Sequence, residues 1–152
     1  MHSLNPAYLE ALYRTVNASP FPRHLPMRIA EVGPGNARIE LEVGECHLQP
    51  FGIVHGGVIA TLIDTATFWA AFGAIPEDAG LVNIDLKLNY LQSVTRGRLV
   101  ALGQSIRAGR TITYAEAHVR GEDGGLIAHG TSTLMVLPGK GFPLGPPKHL
   151  PR

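Results

Sequence analysis

The residue that most needs a chemical explanation is Asp64, an acid in the middle of a long apolar run. Between Val58 and Phe72 it is the only ionisable side chain, and the run contains neither proline nor glycine. Its richness in alanine favours a helix, and its apolar character nearly all round favours a buried one. A buried, ionised carboxylate without partners is costly, so Asp64 must be paired, protonated or chemically active. A structural aspartate bonded to Thr61, Thr67 or a backbone amide is an equally good interpretation.

The start of the same run, His55-Gly56-Gly57, could bind an anion or polarise a carbonyl group. The first turn of a helix has unpaired N–H groups and the positive end of the helix dipole. Residues without a Cβ let another group come close to that backbone. A ligand oxygen could therefore accept a hydrogen bond here. The two glycines are also compatible with a simple tight turn.

Gly56 and Asp64 are too far apart on one helix to act on the same reacting atom. They are eight residues apart, or roughly 12 Å at about 1.5 Å per residue, whereas catalytic contacts span about 3 Å. If both residues act on one substrate, they come from two copies of the chain. On that condition the sequence predicts two equivalent sites across a two-fold interface.

Composition predicts one domain that binds neither nucleic acid nor a membrane. The net charge is +1, and no cluster of Lys and Arg is present. Hydrophobic residues make up 45% and charged ones only 16%, which suggests that another subunit covers part of the surface. The single cysteine, Cys46, excludes an internal disulfide and fits a reducing compartment. No signal peptide is visible and the fifteen-residue run is too short for a membrane span, so we expect a cytoplasmic protein.

Periodicity predicts an α+β fold in which one antiparallel sheet wraps around the apolar helix. A short amphipathic helix is expected from Pro6 to near Asn17, then an irregular, proline-rich stretch to Pro26. Gly73 is the expected end of the central helix. The patterns predict a hairpin at 27–43 and four later strands at 81–90, 97–107, 111–120 and 126–137.

The strand Leu81–Tyr90 has the cleanest alternation in the chain. Its apolar residues are expected on one face of the sheet, namely Val82, Ile84, Leu86, Leu88 and Tyr90. The stretch 138–152 carries five prolines and three glycines. We expect this tail to lack structure of its own or to lie on a neighbour.

These pieces resemble the hotdog-fold acyl-CoA thioesterases, in particular the PaaI-like group of the 4-hydroxybenzoyl-CoA thioesterase superfamily. The resemblance covers roughly residues 25–138. It rests on the segments Gln49–Gly57, the helix through Asp64, Val82–Leu91, Gly109-Arg110-Thr111 and Ala128-His129-Gly130. It implies one hotdog domain over residues 1–137, with 1–24 as the N-terminal helix and lead-in and 138–152 as the tail.

The resemblance implies hydrolysis of an acyl-CoA thioester to free acid and coenzyme A. In the family the acid of the central helix, here Asp64, is the nucleophile or general base. The first glycine after the histidine, here Gly56, donates its N–H to the thioester carbonyl of a substrate bound by the other protomer. His55 supports this loop beside the thioester. Gln49 helps to place the substrate or the water, and Asn83 is the candidate for orienting the water.

Other residues are expected to bind the substrate. Arg107 and Arg110 flank the Gly109 turn and are candidates for the nucleotide phosphates, although each could equally be a solvated surface charge. Tyr90 could contact the pantetheine or pack in the core. Gly57, in the same loop as Gly56, is a further candidate for substrate binding.

One position departs from the pattern of some relatives, which carry Ser or Thr one turn after the acid. This chain has Phe68 there, and that side chain would make the acyl pocket more apolar. Thr65 and Thr67 are near, but we expect them to point elsewhere on the helix. This leaves Asn83 as the candidate for orienting water.

The resemblance also implies a homo-oligomer, at least a dimer and in many relatives a tetramer. It implies no cofactor, since coenzyme A is part of the substrate. No metal site is expected, because the nearest metal-capable residues match no zinc spacing: Glu45, Cys46, His47 and His55. His118 and His129 are expected to be packed or exposed rather than catalytic.

Two alternatives stay open. The first is a hotdog hydratase or dehydratase, although this chain lacks the local pattern of the acid–base pair that those relatives use. The second is a non-catalytic module that binds and senses acyl-CoA. Such a module would keep the pocket and the two arginines, but it would not need Asp64.

Overall fold

The structure, a computed structural model that describes residues 3–151, is an antiparallel sheet wrapped around a long helix. The helices are α1 (Pro6–Asn17), α2 (Pro20–His24) and α3 (Gly56–Ala74). The strands are β1 (Met27–Gly33), β2 (Asn36–Glu42), β3 (Ala79–Tyr90), β4 (Arg98–Ala108), β5 (Ile112–Arg120) and β6 (Leu126–Pro138). They lie in the order β1-β2-β4-β5-β6-β3, so β1 and β3 form the two edges. The expected α+β layout is confirmed.

The first helix agrees with the prediction, whereas the stretch after it is more regular than expected. Asn5 caps α1, since its side-chain oxygen accepts a hydrogen bond from the N–H of Ala7 at 3.0 Å. The stretch expected to be irregular contains α2, which begins at Pro20. Proline suits this position because its missing N–H would have no partner in the first turn.

The central helix is longer than the fifteen residues expected, with nineteen. Gly73 does not end it, because it lies inside the last turn. A Cβ at Gly73 would overlap the carbonyl oxygen of Gly33, so the glycine lets the end of α3 lie against the β1–β2 turn. The prediction that Gly73 stops the helix was therefore wrong, and close packing explains why a glycine is there.

With nineteen residues, α3 is long and apolar enough to cross a membrane by length and composition alone. This removes the argument that the apolar run is too short. Core helices of globular proteins pass the same test. Here α3 packs against all six strands of the sheet, which is the position of a core helix.

The inner face of the sheet receives α3 at a glycine in β4. A Cβ at Gly103 would overlap the backbone of Ala66, so only glycine permits this close approach of helix and strand. The core around the contact is apolar and fully enclosed. Its completely buried side chains include Leu62, Ile63, Ala66, Ala70, Leu99, Ala101, Ala117 and Leu134.

A β-bulge in β3 overturns the simple alternation predicted for that strand. Asn83 pairs with Leu134 and Asp85 with Thr133, so Ile84 is the extra residue. Before the bulge the odd-numbered residues face α3, and after it the even-numbered ones do. Val82 and Ile84, which the sequence placed with the core, therefore lie on the outer face and are 44% and 55% exposed.

The proline-rich tail has little regular structure but folds back on its own chain. His149 forms an isolated bridge with Leu4. The Lys148 side chain is buried, and its Nζ donates hydrogen bonds to the carbonyl oxygens of Phe72 at 2.6 Å and Ile75 at 2.9 Å. The tail thus caps the C-terminal end of α3, where carbonyl groups lack helical partners.

Candidate active site

The N-terminal end of α3 presents a backbone donor to solvent. His55 caps the helix, since its Nδ1 accepts a hydrogen bond from the Gly57 N–H at 2.8 Å. No acceptor among residues 3–151 bonds the Gly56 N–H. In the next peptide, between Gly56 and Gly57, the Tyr90 hydroxyl donates to the Gly56 carbonyl oxygen at 3.0 Å. The cap leaves the Gly56 N–H available to a ligand, at the positive end of the helix.

His47 holds the loop that leads into α3 in place, a role that the sequence did not predict. His47 is buried; its Nδ1 accepts from the Gly44 N–H, and its backbone oxygen accepts from the His55 N–H, both at 2.8 Å. Burial lowers the pKa of His47, which favours the neutral ring that this acceptor role requires. Gln49 bends the loop, since its side-chain oxygen accepts from the Phe51 N–H.

Five of the predicted site residues share a groove of about 500 Å³ at this end of α3: Gln49, His55, Gly56, Gly57 and Tyr90. Tyr90 is 57% exposed, so it is not the core residue that the sequence left open as an alternative. A Cβ at Gly56 would lie 3.0 Å from the Tyr90 hydroxyl oxygen. A side chain at position 56 would therefore crowd the Tyr90 hydroxyl.

Asp64 lies half-buried in the middle of α3, and its partner comes from β3. The Asn83 side-chain amide donates a hydrogen bond to one oxygen of the Asp64 carboxylate. Burial raises the pKa of Asp64, and the hydrogen bond from Asn83 lowers it by a smaller amount, so the net shift is upward. Asp64 is thus a carboxylate whose proton affinity is higher than that of a solvated aspartate, as a base or nucleophile requires.

Both N–H groups of the Asn83 side-chain amide have hydrogen-bond acceptors. Besides Asp64, its Nδ2 lies 3.4 Å from the Ser132 hydroxyl oxygen, and that hydroxyl donates to the Asp85 carbonyl oxygen at 3.0 Å. Within one chain, Asn83 therefore holds the carboxylate, and only its carbonyl oxygen is left for water. Ser132 supports this contact from β6. No sequence pattern indicated this role of Ser132, because its contact with Asn83 depends on the register of β3 on β6 around the bulge.

Asp64 opens on a separate cavity of about 240 Å³, walled by α1, α2 and β1 on one side and by α3 on the other. Phe68 and Trp69 line it with Asp64, their ring centroids 5.1 Å apart in an edge-to-face arrangement. Thr65 also lines this cavity, so the expectation that it points elsewhere was wrong. Thr67 does not line this cavity, in agreement with the expectation; it is buried, and its hydroxyl donates to the Ile63 carbonyl oxygen of its own helix at 3.0 Å.

Arg107, Gly109 and Arg110 lie together at the β4–β5 turn, away from both cavities described above. They line a broad groove of about 740 Å³ that shares no lining residue with either cavity. Both arginines are exposed, and neither forms an ion pair with another residue of the described chain. A bulge between Ser105 and Arg107 places Arg107 opposite Tyr114 on the outer face.

The structure thus divides the predicted residues into three groups. One offers a backbone N–H donor, one a carboxylate beside an apolar cavity, and one a pair of exposed arginines. A donor and a carboxylate of this kind can polarise a carbonyl group and attack it, or activate water against it. The donor and the carboxylate open on different cavities and are separated by about 12 Å of helix.

Comparison with known proteins gives a consistent result. The sequence profile of the thioesterase superfamily matches residues 51–128. The chain is 30% identical over 110 residues to the 1,4-dihydroxy-2-naphthoyl-CoA hydrolase of Listeria monocytogenes, covering 72% of this chain and 89% of that protein.

Solved structures agree with the profile. A thioesterase from Haemophilus influenzae superposes with a TM-score of 0.83 at 27% identity, covering 92% of this chain and 97% of that chain. A thioesterase family protein from Silicibacter pomeroyi gives a TM-score of 0.78 at 29% identity, covering 87% and 99%. The narrower PaaI-like group stays a prediction. The chain is therefore a hotdog-fold hydrolase that belongs to the thioesterase superfamily.

Proposed function

We propose that this protein hydrolyses acyl-CoA thioesters at sites that two copies of the chain share. The observation that carries the proposal is Asp64, a carboxylate in an apolar helix that the fold keeps half-buried with a raised pKa. A structural aspartate would be expected to have its oxygens satisfied by several donors. Within residues 3–151, Asp64 has one donor, Asn83, and it borders a cavity.

In this proposal the two copies supply different parts of the chemistry. The Gly56 N–H of one protomer donates to the thioester carbonyl oxygen and stabilises the negative charge that develops there. Asp64 of the other protomer takes a proton from the attacking water, or attacks the carbonyl carbon itself to form an anhydride that water then cleaves. In either route the C–S bond breaks, the acyl group leaves as the carboxylic acid, and the coenzyme A sulfur regains a proton.

The acyl group would occupy the apolar cavity beside Asp64, against Phe68 and Trp69. Its volume of about 240 Å³ and its aromatic walls suit an aromatic or a short to medium aliphatic group. The Listeria relative is named for a naphthoyl-CoA substrate, which supports including bicyclic aromatic esters among the candidates. Arg107 and Arg110, with Gly109 between them, are proposed to bind the phosphates of coenzyme A, since neither forms an ion pair within the described part of the chain.

The assembly would be at least a dimer and could pair further into a tetramer. Two observations support this. The edge strand β3 runs for twelve residues beside β6 alone, so its other edge lacks a strand partner within the described chain. Exposed apolar side chains also lie on its outer face, including Val82 and Ile84. Long exposed edges of this kind are uncommon unless another chain covers them.

The test is the release of thiol from a panel of aromatic and aliphatic acyl-CoA esters, followed with a thiol reagent. We expect turnover by the wild type and loss of it in Asp64→Asn, with Asp78→Asn, an exposed acid outside all three groups, as the matched control. Near-full activity of Asp64→Asn would refute both chemical routes. Binding of acyl-CoA without thiol release would instead support the sensing module. Incorporation of oxygen-18 into Asp64 in a single turnover would identify the covalent route.

A further inference from the structure

Three side chains that can ligate a metal lie together on the outer face of the sheet. Glu116 and His118 are two residues apart on β5, so they share one face. His129 of β6 pairs directly with His118 across the strands. The buried neighbours Ala115, Ala117 and the rest of the inner face point toward α3, so this cluster lies on the opposite side of the sheet from Asp64.

The ligand atoms of the three side chains are already close. His129 Nε2 lies 3.0 Å from the Glu116 Oε2, and the rings of His118 and His129 have centroids 4.5 Å apart. One ligand atom from each residue lies within 4.8 Å of the others. Ligand atoms about 2.1 Å from a tetrahedral zinc ion would be about 3.4 Å apart. Small side-chain rotations would therefore bring all three to bonding distance, without movement of the strands.

We propose that Glu116, His118 and His129 form a binding site for a divalent transition-metal ion, for which zinc is the probe. Two imidazoles and one carboxylate suit Zn²⁺, Co²⁺ or Ni²⁺ better than Mg²⁺ or Ca²⁺, which prefer oxygen ligands. The side chains of Glu116 and His129 are each 29% exposed. They are thus sheltered enough to be held in place and open enough for water to complete the coordination.

The surrounding charges leave the carboxylate free for this purpose. The cations at nearby outer positions are Lys87, Arg107 and Arg120, and none of them forms an ion pair with Glu116. Arg120 turns away, because its guanidinium donates to the Gly124 carbonyl oxygen at 3.0 Å. Glu116 therefore has His129 as its charged or polar partner, which a metal ion would replace by binding both.

A metal ion here would join β5 to β6 by a link outside the backbone ladder. It would stabilise the folded chain by mass action, since the unfolded chain does not hold the three ligands together. It would stand apart from hydrolysis, because the proposed catalytic residues face the other side of the sheet. This site does not depend on the proposed function, and either could fail alone.

The experiment measures zinc binding by titration calorimetry and thermal unfolding, using a Cys46→Ser background to remove the exposed thiol. We expect one zinc ion per chain and a higher unfolding temperature at micromolar free zinc. Both effects should be lost in His129→Gln and reduced at least tenfold in affinity in Glu116→Gln. Cobalt should give visible absorption bands in the background protein and none in His129→Gln.

The matched control is His24→Gln, which changes an exposed histidine on α2; this helix packs on β1, three strands from β5 in the sheet order. It should bind zinc as the background does. Zinc binding that survives in both His118→Gln and His129→Gln would overturn the proposal, as would the absence of binding at micromolar free zinc. Circular dichroism of each variant without metal shows whether it folds. Should His129→Gln fail to fold, His118→Gln and Glu116→Gln carry the test.

Discussion

The start of α3 contributes a backbone donor to the proposed chemistry and the middle contributes a carboxylate, and the surroundings of these two groups differ. In the middle, apolar neighbours half-bury Asp64, and Asn83 holds one of its oxygens. At the start, the cap by His55 and the bond from Tyr90 fix the peptide around Gly56 but leave its N–H open.

The difference shows which properties a single chain can supply. A raised pKa depends on burial, so it can be built inside one protomer. A donor for a developing oxyanion must stay unsatisfied until the substrate arrives, so it has to lie at an open surface. The helix separates the two by about 12 Å, and the proposed dimer is the arrangement that would let them meet at one carbonyl group.

The largest effect on kcat is expected from Asp64→Asn, which removes the negative charge in the middle of α3. Asp64→Asn keeps the shape and can still accept the bond from Asn83, but it removes the base or nucleophile. We expect kcat to fall by roughly 10²–10⁴. At pH 7 the variant should be at least as stable as the wild type, because the raised pKa means that ionised Asp64 opposes folding.

The stability difference has a defined pH dependence. A folded-state pKa raised above 3.8 makes Asp64 favour folding only while it is protonated, and that contribution is lost as the pH rises through the folded pKa. The advantage of Asp64→Asn should therefore shrink toward zero as the pH falls below about 4. Urea unfolding at several pH values checks this, and a variant less stable than the wild type at pH 7 would contradict it.

The start of the helix should respond to loss of its cap. His55→Ala removes the acceptor for the Gly57 N–H and should cost about 1 kcal/mol of stability. A displaced Gly56 N–H should lower kcat by up to about a hundredfold. His55→Asn offers another capping oxygen and should recover most of the stability. Equal unfolding temperatures for the Ala and Asn variants would show that the cap contributes nothing.

The contact between Asn83 and Asp64 predicts a shift in the pH profile. The acid limb of kcat/KM should lie above pH 3.8, because burial raises the pKa of Asp64. Asn83→Ala removes the bond that favours the charged form, so the limb should move to still higher pH. Ser132→Ala, which touches Asn83 but not Asp64, should shift the limb less. If the acid limb of kcat/KM lies at the same pH in Asn83→Ala as in the wild type, the Asn83 amide does not affect the group that titrates.

The smallest effect on activity is expected from Lys148, at the C-terminal end of α3. A change in kcat there would indicate that disturbing any part of α3 affects activity. Burial lowers the pKa of Lys148 to about 8 from 10.5. The unfolded chain therefore binds more protons than the folded chain between these values, and stability should rise with pH across that range. Lys148→Met should lack this rise while kcat at pH 7 changes little. Unfolding curves at pH 7 to 10 test it.

Much of the fold could be predicted because its signals are local. The Asn5 cap, the apolar run of α3 and the alternation of the later strands each depend on neighbouring residues. The predicted end of α3 at Gly73 was wrong because that glycine is explained by contact with Gly33, a residue distant in sequence. The same holds for Lys148, whose role at the end of α3 depends on the tail folding back.

The same distinction between local signals and contacts distant in sequence applies to the candidate site. Asp64 and the His55 loop are visible in sequence because one is anomalous and the other is a helix start with glycines. The contact of Asn83 with Asp64 and Ser132 could not be derived from the residues, since it needs the register of β3 on β6. The cluster of Glu116, His118 and His129 was missed for the same reason, because strand pairing alone brings β6 to β5.

The extra residue in β3 has a consequence for comparing relatives of this protein. On either side of Ile84 the rule that assigns a position to core or solvent is reversed. An even-numbered position thus lies on the outer face before the insertion and on the face toward α3 after it. Aligning a relative that lacks this residue without a gap would exchange inside for outside along half the strand, and where the half after Ile84 is in register, Asn83 would be matched to a residue of the outer face.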